Sequence, residues 1–177
     1  MQPDSMQSDT IQSDTMQPDT IQSETVQSDP VRLVLDSNVW LDWLFFDDPG
    51  VSELKQAKEL GAIEIVIDAA CRDEMVRVVN YDRFALDQSA QTAMLAEIDR
   101  LSTFLEDLHY QPAHALPSCT DPDDVKFLAL ATASRADWLI TKDKALLGKP
   151  RQRQRAGIAY RIGTPRQWSL PQRNSTC

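Results

Sequence analysis

No part of this 177-residue chain holds the run of roughly 18–20 apolar residues that a membrane-spanning helix needs. The amino-terminal stretch has neither a basic region nor an apolar one, so no secretory leader is expected and the cytoplasm is the expected location. Cysteine is scarce. Cys71, Cys119 and Cys177 are odd in number, widely spaced and without a C-x-x-C pair, which argues against a disulfide framework or a zinc ribbon. Two histidines, His109 and His114, are too few for a His-based metal cage.

What is present is acid, unevenly spread. Residues 1–30 carry six acids and no base, residues 31–141 carry twenty acids against nine bases, and residues 142–177 reverse the balance with nine bases and one acid. A basic carboxy-terminal segment on an acidic body points to an anionic partner. Hydrophobic residues at 42% and charged residues at 25% are ordinary for a globular protein, and the length suits one α/β domain.

Residues 1–30 are six pentapeptides: MQPDS, MQSDT, IQSDT, MQPDT, IQSET and VQSDP. A period of five fits neither strand nor helix. So polar a segment cannot bury enough surface to offset about 1–2 kcal/mol of ordering entropy per residue, and a disordered acidic tail is expected. A domain over residues 31–168 follows, with a flexible tail over 169–177.

The domain opens with VRLVLDSNVWLDWLFF, residues 31–46. Residues 31–35 read as a buried strand and the apolar positions from Val39 to Phe46 as a helix. Asp36 stands where one becomes the other, at the sheet edge where open α/β folds place their ligand crevices. A second helix is expected over 51–60, closed by Gly61, then a strand over 63–67 and a helix over 68–79. Apolar residues at 86, 90, 94, 98, 101, 105 and 108 predict one long amphipathic helix. Residues 110–119 form a connector, with an edge strand near His114. A buried helix over 123–135 and strands over 138–141 and 158–162 complete an α/β/α sandwich around a parallel sheet.

Four acids occupy privileged places. Asp36 and Asp143 lie at or just past strand ends, Asp124 in the first turn of a helix, and Glu74 early in the helix after the second strand. Brought together, two carboxylates about 4 Å apart repel by on the order of 4 kcal/mol at an effective dielectric near 20, so such a cluster needs a cation. Oxygen-only ligands select Mg²⁺ or Mn²⁺. Each acid also has a plainer reading. Asp36 and Asp124, with Asp121 and Asp123, suit helix N-termini; Glu74 suits a solvated face, and Asp143 a turn.

The joint pattern resembles the PIN-domain family, small Mg²⁺-dependent ribonucleases that include the toxins of many bacterial toxin–antitoxin pairs. LVLDSNVWL is similar to that family's opening strand, DEMVRVVNYDRF to the helix carrying its second acid, and DPDDVKFLALATASRADWLITKD to the segment with the third and fourth. GIAYRIGTPRQW resembles the ending of a toxin-like subgroup. The resemblance implies Asp36, Glu74, Asp124 and Asp143 as catalytic metal ligands, with Asn38 and Thr141 behind them or on a phosphate oxygen. It implies an RNA substrate, a cognate antitoxin and a possible homodimer. Lys126, Lys142 and Lys144 near the mouth, and Lys149, Arg151, Arg153 and Arg155 beyond it, are the candidate RNA-binding bases; the plainer reading of that last run is a solvated loop. Trp40, Trp43 and Trp138 read as packing residues, although Trp40 and Trp43 with Phe45 and Phe46 would also suit a partner surface.

Two other functions compete. One is a PIN-like module that binds RNA or protein without cutting. The other is a phosphotransferase with Asp36 as nucleophile, like the haloacid dehalogenases, against which Asn38 speaks because it replaces that family's second Asp.

Overall fold

Val31–Leu35 alternates its side chains between two faces, and Leu33, Val34 and Leu35 are all buried, so both faces of this strand, β1, are covered. In the computed structural model, which describes residues 29–110, 122–148 and 159–170, β1 is the middle of a five-stranded sheet. The others are β2 (Ile63–Ile67), β3 (Ser102–Phe104), β4 (Trp138–Ile140) and β5 (Arg161–Gly163), in the order β3-β2-β1-β4-β5. Every neighbouring pair is parallel, with Leu33 opposite Ile65 on one side and Leu35 opposite Ile140 on the other.

Helices α1 (Ser37–Leu44), α2 (Ser52–Glu59), α3 (Ala69–Val79), α4 (Gln88–Leu101), α5 (Val125–Ala133) and the single turn α6 (Lys144–Leu147) flank the sheet. Trp40 and Trp43 of α1 are buried, so they pack the core as their spacing predicts, and Trp168 closes it from the carboxy-terminal side. Phe46 stays exposed in an edge-to-face group with Phe45 and Phe84. Gly61 ends α2 at φ +66°, where a side chain would strain the backbone.

Two expectations need correcting. The helix expected over 86–108 stops at Leu101, and Ser102–Phe104 joins the sheet edge beside β2. The Ser102 hydroxyl bonds back to the Ile98 carbonyl as the chain turns out of the helix, and the side chains of Thr103 and Phe104 favour the pleated form. The last strand begins at Arg161, later than 158. The repeat tail, the edge strand expected near His114, the bases from Lys149 to Arg155, and Cys119 and Cys177 lie outside the described residues. Among the described residues no helix is long and apolar enough to cross a membrane.

Candidate active site

Because the strands are parallel, their carboxyl ends share one edge. The chain runs outward from β1 through β2 to β3, then returns to β4 on the other side, so the switch in direction falls between β1 and β4. Crevices open at such points. Asp36 follows β1 and Thr141 follows β4, one residue past the Leu35–Ile140 pair, which brings residues 105 positions apart side by side.

Asp36 occupies the N-cap position of α1, yet its side chain caps nothing there. Instead its Oδ1 accepts from the Ser37 hydroxyl at 3.1 Å, and its Oδ2 accepts from the Asn38 amide and the Thr141 hydroxyl. The carboxyl is only 3% exposed. Burial pushes its pKa above the ordinary 3.8, and the bonds from Thr141, Ser37 and Asn38 pull the other way without cancelling it. Asn38 Oδ1 accepts the Lys142 N–H at 3.0 Å, and the buried Thr141 hydroxyl accepts the Asp143 N–H at 2.9 Å. The Asp143 carboxylate, half-buried, caps α6 through the Ala145 N–H.

A second flank lies on α3 and α5. Glu74 Oε2 receives the Arg77 guanidinium at 2.7 Å and the Lys126 ammonium at 3.2 Å. Asp124 stands at the N-cap position of α5 without a side-chain cap bond. Between the flanks is the buried Cys71 thiol, whose pKa is raised first by burial, then by the Asp68 charge, with smaller effects of Lys126 and Asp36. It is an inert thiol.

The other predicted bases divide. The Lys142 ammonium straddles the buried Asp42 carboxylate, 2.8 and 2.6 Å from its two oxygens, with Asp48 at 3.8 Å. Lys144 is exposed.

Asp68 is absent from the acids that the sequence singles out. It follows β2 as Asp36 follows β1, and that repeated strand–Asp–helix junction was the available signal. Its carboxylate is buried, accepting from the Cys71 N–H at 2.8 Å and the Tyr110 hydroxyl at 2.6 Å. Burial first, then the bond to Asp68, raises the pKa of that phenol. Both line a cavity of about 600 Å³ with Phe104, Leu105, Leu108 and Lys126.

A hard divalent ion suits an all-oxygen, anionic set of donors. The side chains as they stand do not enclose one: among the described residues no three acidic, histidine or cysteine side chains stand close enough to share an ion. Asp36 is surrounded by neutral donors and Glu74 by protein cations, and no three of the four predicted acids stand together around one position.

A doubly wound parallel sheet with a buried aspartate at its switch point defines a class of small α/β proteins, and a family model narrows it. Residues 32–145 match the PIN domain, and the chain belongs to that family. Among solved structures the chain is similar to VapBC2 from Rickettsia felis, crystallised with a DNA fragment from their promoter, at a TM-score of 0.53 and 11% identity. The match covers 75% of this chain and 98% of the other, and at that identity it speaks for the fold. No curated protein matches the chain closely enough in sequence to count as a relative.

Proposed function

We propose that the chain is a divalent-metal-dependent endoribonuclease, the toxin of a toxin–antitoxin pair, acting in the cytoplasm. The observation that carries this is Asp36: a carboxylate kept in a buried place against the pull of desolvation, at the switch point of a PIN-domain sheet. Burying a charged carboxylate at this N-cap costs free energy that an uncharged serine or asparagine would not.

Mg²⁺ or Mn²⁺, when bound, would lower the pKa of a water and offset charge on the scissile phosphate. Asp36, Glu74, Asp124 and Asp143 would hold it. Asn38 and Thr141 hold the Asp36 carboxylate in one orientation through Oδ2, which would leave Oδ1 as the oxygen to meet an ion. Lys144 is exposed for backbone phosphates, and the run from Lys149 to Arg155 would extend that contact. The VapBC2 complex offers an analogy for a partner protein; a homodimer is a further expectation of the resemblance.

The purified chain should cut single-stranded RNA only when Mg²⁺ or Mn²⁺ is supplied, and Asp36→Asn should abolish cleavage. Equal cutting by Asp36→Asn would overturn the assignment. A non-cutting PIN-like module is the second reading, favoured by one observation: Glu74 is already held by Arg77 and Lys126. On that reading added metal leaves thermal stability unmoved, whereas metal at about 100 times its Kd at a true site adds ~2.7 kcal/mol.

A further inference from the structure

Lys142 meets α1 at two levels. Its backbone N–H donates to Asn38 Oδ1 at 3.0 Å, and its ammonium lies 2.8 and 2.6 Å from the two oxygens of Asp42. Asn38 and Asp42 stand four residues apart and so share one face of the helix. Asp42 is the odd member of α1: a carboxylate only 5% exposed among Val39, Trp40, Leu41 and Trp43, all buried. A carboxylate so enclosed is tolerated where a cation meets it. The main-chain bond settles the direction of the neighbouring amide. With Asn38 Oδ1 taken by the Lys142 N–H, Nδ2 faces Asp36 Oδ2, the same oxygen that the Thr141 hydroxyl reaches.

We infer that Lys142 is a positioning residue for Asp36: its ion pair with Asp42 clamps the β4–α6 turn onto α1, and so brings Asn38 and Thr141 to one carboxylate oxygen. This role rests on the nuclease reading of Asp36 above and takes Lys142 out of the bases expected to meet RNA. Its side chain is 45% exposed, so position alone would suit a phosphate, yet its head is already bonded. Turning the ammonium outward would leave the Asp42 carboxylate in the core without it, and a buried pair broken on one side is strongly unfavourable. Lys144, exposed two residues further on, suits a phosphate contact better.

Cleavage kinetics of the full chain on a fluorescent single-stranded RNA, with Mn²⁺ supplied, test this. Asp42→Ala removes the charge and the acceptor together, leaving no buried charge unpaired; kcat should fall about tenfold while KM stays within about threefold. Lys142→Met should do the same, and the double variant should be no slower than the worse single one, because all three break one clamp. In an Asn38→Ala background, Asp42→Ala should slow cleavage by less than about twofold further. Unchanged kinetics in Asp42→Ala, or a higher KM with unchanged kcat in Lys142→Met, overturns the role. An Asp42→Ala effect that persists in full without Asn38 overturns it too, and the nuclease reading stands in all these cases. If the wild-type chain cuts no RNA, the nuclease reading falls, and the ¹H–¹⁵N NOE of the Asn38 side-chain amide decides whether the clamp exists. That NOE should drop in Asp42→Ala and keep its wild-type value in Lys55→Met, which breaks an exposed pair with Asp47. An unchanged NOE in Asp42→Ala overturns the clamp. Should Lys142→Met fold poorly, the Asp42→Ala measurements decide alone.

Discussion

The two flanks of the candidate site hold their acids by different means. On the β1–β4 side, Asp36 is buried and held by neutral donors: a serine hydroxyl, an asparagine amide and a threonine hydroxyl. On the α3–α5 side, Glu74 is less enclosed and held by two full charges, Arg77 and Lys126. Neutral donors orient a carboxylate and leave most of its charge in place, whereas cations cancel that charge and can be exchanged for another cation. The first flank orients its acid and the second offsets the charge of its acid.

The largest break in that contrast is Asp36→Asn. Proposed cleavage should fall by at least about a hundredfold, measured on a fluorescent RNA, while the fold becomes more stable. The sign follows from the raised pKa. The native carboxyl binds its proton more tightly than the unfolded chain does, so its contribution is most favourable below the ordinary 3.8. That contribution is lost as pH rises through the elevated native value, and at neutral pH the buried charge is a cost. Asparagine removes that cost, and each kcal/mol regained is worth about 2–4 °C in Tm for a chain of this size. Urea titrations across pH 3–8 should show a shallower decline for the variant.

Thr141→Val comes next. It keeps the shape but strips the hydroxyl that donates to Asp36 and accepts from the Asp143 N–H, leaving that N–H without its acceptor. Thermal unfolding should report a loss of about 1–3 kcal/mol, recovered largely by Thr141→Ser. Tyr110→Phe sharpens the view of the overlooked Asp68: loss of one hydrogen bond to a carboxylate should lower stability by about 1.5–3 kcal/mol at most, less at this partly exposed phenol. Arg77→Ala should be the smallest, within about 1 kcal/mol, because an exposed i,i+3 pair in water contributes little.

The sheet's inner strands were legible because β1, β2 and β4 are short apolar runs bounded by polar junctions, and Asp36 was legible because it interrupts the first run. The α4–β3 boundary was not. Leu101, Leu105 and Leu108 keep helical spacing past the point where the chain turns, and only pairing with β2 decides that Ser102–Phe104 becomes a strand. Of the site, the acids could be named from their places at strand ends and helix starts. Their partners could not: the lysine on Glu74 lies 52 residues away and the one on Asp42 100 residues away, and no local pattern encodes such contacts. Asp68 was missed for a different reason, since a residue that caps a helix looks the same in sequence whether or not it also meets a tyrosine.

The seating of β4 beside β1 has a consequence for synthesis. A chain leaving the ribosome exposes Asp36 and Glu74 early, yet the hydroxyl that orients the first and the lysine that neutralises the second arrive only after residues 126 and 141 have been added. Both acids therefore gain these partners only late in synthesis, once most of the domain has been made.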